Sequence, residues 1–215
     1  MKSKQSGFTL IEIAIVLVII GLLLGGVMKG QELITSSKVK AAVKDIDGVA
    51  AAYQGYIDRY RRVPGDDGPT AALTARGVAW TNVVGGDNDG LLEVTAAQTF
   101  TGAGEGDNFW QHLRAAGFLS GNPADAGAAA PPRNVFGGLI GISEAGVTGS
   151  VAGYKVCLSQ VPGKAALALD TQFDDGLPNS GSTWATLGVV GANTAPGAAA
   201  ATYNEDNQYS ICRAI

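Results

Sequence analysis

Residues 8–28 read FTLIEIAIVLVIIGLLLGGVM, and the architecture is decided there. The run carries one charge, Glu12. At about 1.5 Å per residue, a helix of this length reaches roughly 30 Å, the thickness of a bilayer core. A cleaved secretory signal has an apolar core of about 7–15 residues followed by a small-x-small site, so this run is too long for one. A plain membrane anchor fits the length but leaves Glu12 unexplained. A carboxylate in hydrocarbon is expensive and calls for a partner. Lys2 and Lys4 precede the run, and basic residues there hold that end of a span in the cytoplasm.

Working outward, no proline interrupts residues 29–62. Val39, Val43, Ile46, Val49, Ala50, Tyr53, Ile57 and Tyr60 recur at steps of three and four, while most charges lie off that stripe. The pattern predicts one helix from about 8 to about 61, whose second part packs an apolar face on a globular head. Val63-Pro64-Gly65 ends it. Gly48 and Gly55 each weaken it by about 1 kcal/mol relative to Ala. Gly21/Gly25 and Gly26/Gly30 form G-x-x-x-G pairs, read either as helix-packing faces in lipid or as ordinary glycine tolerance in a membrane helix.

In the head, residues 108–116 read as a short amphipathic helix stopped by Gly117. Residues 122–132 and 194–201 are loops rich in Ala, Pro and Gly. Strands are predicted at 154–160, 167–169, 184–190 and 209–212, separated by turns such as Asp175-Gly176 and Asn179-Ser180-Gly181. Helix first and strands later indicates an α+β fold, with an antiparallel sheet packed on the long helix.

Composition excludes several function classes. The chain of 215 residues is 46% hydrophobic and 16% charged, which suits a folded protein rather than a disordered one. A net charge of −4 provides no basic field for nucleic acid. One His and two Cys cannot build a zinc site of His and Cys alone. There is no G-x-S-x-G, and Pro162-Gly163-Lys164 lacks the upstream glycine of a phosphate loop, since Leu158 holds that position. Gly102, Gly104 and Gly106 do not open a strand-turn-helix unit. His112 has no Ser, Cys or acidic motif around it and reads as a packing or helix-surface residue. No enzyme is expected.

Two acidic clusters stand out. Asp87, Asp89 and Glu93 lie in DNDGLLE, which resembles the opening of a calcium loop without its full twelve-residue pattern. Asp170, Asp174 and Asp175 lie beside Gly176, Asn179 and Ser180. Each cluster reads either as a calcium site or as a turn. Cys157 and Cys212 are either a disulfide or two buried thiols.

The segment Ser6-Gly7-Phe8-Thr9-Leu10-Ile11-Glu12 resembles the class III signal of type IV pilins and type II secretion pseudopilins. The resemblance implies a leader over residues 1–7, a transmembrane and assembly helix over 8–28, its amphipathic continuation over 29–61 and a soluble head over 62–215. It implies cleavage between Gly7 and Phe8 by a prepilin peptidase and N-methylation of Phe8. Glu12 then meets the N-terminal amine of a neighbouring subunit, a buried pair in which each charge satisfies the other. The resemblance further implies a Cys157–Cys212 disulfide and raises the expectation of calcium at the second acidic cluster. Closing that loop stabilises a head by about 4 kcal/mol in the chain-entropy model. The expected partners are copies of itself or other pilins, the peptidase and an inner-membrane assembly platform. The protein would sit as a single pass in the inner membrane before assembly. Afterwards it would lie in a surface filament, or in the periplasm as a pseudopilin.

Two functions compete: a filament subunit (major pilin, minor pilin or pseudopilin) and a membrane-tethered periplasmic binding or enzymatic head. A tether needs neither the Gly7–Phe8 junction nor Glu12. Gly7→Val puts a branched side chain at the cut site and is expected to leave residues 1–7 attached. Intact mass of the membrane-fraction protein checks this, and a wild-type chain retaining the leader beside an active peptidase would refute the class III assignment.

Overall fold

The structure, a computed structural model, describes residues 9–215. The leader and the Gly7–Phe8 junction lie outside the described residues. The chain separates into two units, one ending at Ser37 and the other running Lys38–Ile215. Helix α1 (Leu10–Tyr60), 51 residues long, contributes to both. It runs uninterrupted because Leu, Ile, Val and Ala dominate and no proline occurs before Pro64.

From Lys38 onward α1 buries Val39, Ala42, Ile46, Val49, Ala52, Tyr53 and Tyr56. These are the three- and four-residue steps of one helical face. Four of them belong to the expected stripe, and Tyr56, outside it, is fully buried. Val43, Ile57 and Tyr60 flank the same cluster half-buried. Each fully buried Ile or Val contributes about 1.5–3 kcal/mol.

The sheet has five strands: β1 (Ile140–Ser143), β2 (Lys155–Pro162), β3 (Asn179–Ser180), β4 (Thr183–Gly188) and β5 (Gln208–Ala214). Their order is β1-β2-β5-β4-β3, and every neighbouring pair is antiparallel. The fold is therefore α+β and pilin-like: a long apolar N-terminal helix followed by an antiparallel sheet. Val156, Leu158, Ala185, Tyr209 and Ile211 share one buried cluster with α1. Next to them along the strands, Cys157 and Cys212 point the other way and pack with Phe100, Leu139 and Val147. The two cysteines are directly opposed across β2 and β5 and are bonded to each other. Arg213 on β5 also donates to Asp47 on α1 at 2.6 Å.

Three expectations need correction. Residues 167–169, read as a strand, belong to helix α4 (Gly163–Phe173). Ala165, Ala166 and Leu169 are buried there at helical spacing, and three apolar residues cannot distinguish the two periods. Helix α3 (Glu105–Ala115) begins three residues earlier than expected. It stops as predicted: Gly117 takes φ 80°, and the Phe118 N–H reaches back to the Leu113 carbonyl. A short helix α2 (Thr70–Thr74) and strands β1 and β3 were not expected.

The loop after α1 is pinned by a buried carboxylate. Asp67, 1% exposed, accepts from the Tyr56 hydroxyl at 2.7 Å and from both Nη atoms of Arg76 at 2.7 and 3.2 Å. The same loop reaches α3 through His112, which is fully buried. His112 Nδ1 accepts from the Gly65 N–H at 2.8 Å, and Nε2 lies 2.8 Å from the Val84 carbonyl. A carbonyl only accepts, so the ring proton sits on Nε2 and the imidazole is neutral. The imidazole also stacks on Tyr56, with centroids 6.0 Å apart.

Two measurements test this architecture on the full chain in detergent. The disulfide closes a sequence separation of 55, so reducing it is expected to remove about 4 kcal/mol of head stability. Urea unfolding followed by tryptophan fluorescence, with and without reductant, checks this. Burial lowers the His112 pKa to about 4; its hydrogen bond to Val84 and the charge of Asp67 oppose that fall, and Arg76 adds to it. Because the folded value lies below the unfolded one, this group's contribution is fully present above pH 6.5. It is lost as pH falls toward 4, by about 3 kcal/mol in all. The chain has a single histidine, so its imidazole resonances are expected to stay unchanged from pH 7.5 to 5 and to titrate near 4.

Candidate functional site

In the first unit, Thr9 and Glu12 form a reciprocal cap at the start of α1. Glu12 Oε2 accepts from the Thr9 N–H at 2.8 Å and from the Thr9 hydroxyl at 2.7 Å. The Glu12 N–H donates back to Thr9 Oγ1 at 3.3 Å. This is a capping box, which satisfies backbone donors that a helix start leaves open. Glu12 therefore has a local task in its own helix besides any task between subunits.

Beyond the cap, every large apolar side chain from Leu10 to Ile34 is exposed, from Ile20 at 45% to Leu10 at 93%. This part of α1 is long and apolar enough to cross a membrane. A contiguous apolar surface of this size is not stable in water and needs lipid or another helix against it. A Cβ added at Gly21, Gly25, Gly26 or Gly30 would meet nothing within 4 Å. An exposed ion pair, Lys29–Glu32 at 2.8 Å, lies within this surface, just before Leu33 and Ile34.

The head brings the acidic residues together differently from the sequence expectation. Asp87 joins Asp66 and Glu105, one carboxylate oxygen of each lying within 4.8 Å of the others. Asp89 and Glu93 are outside that group. Their backbone N–H groups instead hold it in place, Asp89 donating to Asp66 Oδ1 at 2.9 Å and Glu93 to Glu105 Oε2 at 2.8 Å. The convergence is a backbone effect. Gly86 passes so close to the loop after α1 that a Cβ there would lie 2.5 Å from the Asp66 Cα. The Asn88 N–H also bonds the Asp66 carbonyl at 3.1 Å. Burial pushes the Asp66 carboxyl up, against the pull of its backbone donors, and the charge of Asp89 adds to the rise. Glu105 is likewise pushed up by burial, with Asp66 and Asp87 adding to the effect. Sequence reasoning missed Asp66 and Glu105. The one local cue was the Asp66-Asp67 pair set between Gly65 and Gly68.

Asp170, Asp174 and Asp175 do converge, their oxygens within the same 4.8 Å. Each already accepts from nearby donors. Asp170 takes Tyr203 Oη at 2.6 Å and Gly176 N at 3.3 Å. Asp174 takes the N–H groups of Ser182 and Thr183. Asp175 takes Ser180 Oγ at 2.5 Å and Leu177 N at 2.9 Å. These bonds account for the three side chains as the frame of the turn from α4 to β4. Burial raises the Asp170 pKa to about 6, against the opposing hydrogen bonds of Tyr203 and Gly176 and with Asp175 and Asp174 adding to the rise.

The prokaryotic N-terminal methylation motif matches residues 2–28. No curated protein and no solved structure matches the chain.

Proposed function

Because residues 2–28 carry the signature of the prepilin-type signals of type IV pilins and pseudopilins, we propose that this chain is a structural subunit of a type IV pilus-like filament. In this reading the peptidase cuts between Gly7 and Phe8, and Phe8 is N-methylated. The processed chain waits in the inner membrane as a single pass and then polymerises through α1, beside copies of itself or other pilins on the assembly platform. Its end location is a surface filament, or the periplasm if it serves as a secretion pseudopilin. No bond chemistry of its own is involved.

One observation carries the reading: Glu12 is the sole charge of the apolar run, one helical turn after the new N-terminus that cleavage at Gly7 would create. A free amine and a carboxylate brought together in a low-dielectric bundle neutralise each other, whereas either alone is strongly penalised. The exposed apolar surface from Leu10 to Ile34 supplies what such a bundle would bury. It also serves for lipid while the subunit waits.

The capping box offers a competing task for Glu12, and a pair of variants separates the two. Glu12→Gln keeps an acceptor for the Thr9 donors and preserves the cap, but removes the charge. Glu12→Leu removes both. Both are expected to insert in the membrane and fold the head, yet to lower the ratio of sheared filament to membrane-pool protein by at least roughly tenfold. Glu12→Asp is expected to be intermediate. If Glu12→Gln assembles like wild type, the amine–carboxylate pair is wrong. If Glu12→Leu does so as well, the tethered head becomes the better account.

A further inference from the structure

We propose that the solvent face of α1 at Lys40 and Lys44 docks on the head of a second copy of this chain, against the acidic surface that carries Asp87, Glu93 and Glu144. The inference rests on the filament reading and deepens it, by naming the partner and the two faces that meet.

The basic face is an unpartnered side of a helix. Lys40 and Lys44 are exposed. They lie one turn apart, on the side of α1 away from the buried Val39, Ala42, Ile46 and Val49. Neither enters an ion pair among the described residues. Asp47, the carboxylate three residues beyond Lys44, is taken by Arg213 at 2.6 Å. Like charges at this spacing disfavour the helix that carries them, so an outside carboxylate relieves a repulsion that the head leaves standing.

The complementary face arises independently, from the split of charge along the chain. Residues 29–62 carry seven Lys or Arg against four Asp or Glu, whereas residues 63–215 carry six against fourteen. Most of those six cations are withdrawn from the surface. Arg76 pairs with Asp67 and Arg213 with Asp47, while Arg114 and Lys155 are buried. Two clefts of about 780 and 500 Å³ share Glu93 and Gln98 in their walls. Glu144 lines the first and Asp87 the second. Asp87, Glu93 and Glu144 are all exposed. Among the described residues the one cation in these walls is Lys155, 3% exposed, whose Nζ already donates to the Glu144 and Gly153 carbonyls at 2.7 Å each.

Charge complementarity selects the occupant. The helix face seeks carboxylates, the clefts seek ammonium groups, and one chain carries both, so a second copy supplies each with its counterpart. The two faces are different patches, which makes the contact heterologous. Each copy that docks leaves one face of either kind free for the next. A heterologous contact closes into a ring or continues as an open helical assembly, and continuation is what a filament requires. Matching charges across the contact also fix the register of neighbouring heads.

The test uses sheared filaments and the membrane pool of the full chain. A zero-length carbodiimide cross-linker joins an amine to a carboxylate only where the two touch. In filaments grown from mixed isotope-labelled and unlabelled chains, mass spectrometry is expected to find Lys40 or Lys44 of one chain joined to Asp87, Glu93 or Glu144 of another. The detergent-solubilised membrane pool is expected to lack these links. Lys40→Glu combined with Lys44→Glu is expected to lower the ratio of filament to membrane-pool protein by roughly tenfold, with the Tm of the head unchanged. Adding Glu93→Lys and Glu144→Lys is expected to restore part of that ratio. Lys164→Glu, at an exposed lysine of α4, is expected to leave it unchanged. The docking is overturned if the paired lysine reversal assembles like wild type, if Lys164→Glu lowers the ratio as much, if the charge exchange restores nothing, or if the two lysines are joined to other carboxylates or to another protein. In each of those outcomes wild-type filaments still form. A wild-type chain that forms no filament overturns the filament reading, and the docking with it.

Discussion

The globular unit is organised around one carboxylate that solvent does not reach. A buried charge is tolerated only when it is paired and its remaining lone pairs are satisfied. Asp67 meets that condition through a guanidinium fork from Arg76 and a phenol from Tyr56. Tyr56 stands on α1 and Arg76 lies just beyond α2, so the pairing fixes the loop between them onto the long helix. Once fixed, that loop offers the Gly65 N–H to His112 on α3 and sets Asp66 beside the loop that carries Asp87. One desolvated charge thereby coordinates two helices and two loops. The aromatic surround follows from it, since Arg76 also lies over Tyr60 and Trp80, 4.7 and 5.0 Å from their ring centroids. Cations over aromatic faces gain further attraction when shielded from water.

Helix α1 answers to two solvents. Through Ile34 its apolar residues point outward all round, as suits lipid or a bundle of like helices. From Val39 the same helix is amphipathic and buries a single face. The change falls at Thr35-Ser36-Ser37-Lys38, where four polar residues in succession end the apolar run. The switch lies in side-chain chemistry, which changes what each turn seeks.

The long helix and the order of helix before sheet were legible because periodicity and the lack of proline are local signals summed over fifty residues. Strands β2, β4 and β5 were legible through their β-branched and aromatic runs. Strand β1 was not: its four residues, Ile-Gly-Ile-Ser, are buried on both faces and show no alternation. Residues 167–169 were misread because three apolar positions fit either period. At the N-terminal segment the signal lay in the sequence itself, in the Gly7-Phe8 junction and the offset of Glu12. The acidic cleft was legible only in fragments, since Asp66 and Glu105 are joined to Asp87 by a backbone approach at Gly86 that leaves no periodic trace. Nothing around Asp67 and Arg76 announced that they would be buried together.

Strand β5 lies at the centre of the sheet although it comes last in chain order, and this bears on how the head is completed. Strands β2 and β4 have no contact of their own in the sheet and are joined only through β5. Until residues 208–214 are available, each presents an unpaired inner edge, the kind of edge that invites wrong partners. The pairing that closes the sheet also links residues far apart in the chain, which slows it. A newly made head therefore passes through an open stage in which Cys157 has no opposite number. Sealing of the sheet and oxidation of the cysteine pair become one late event, and a quality-control factor that recognises free thiols or bare strand edges would see the unfinished head and ignore the finished one.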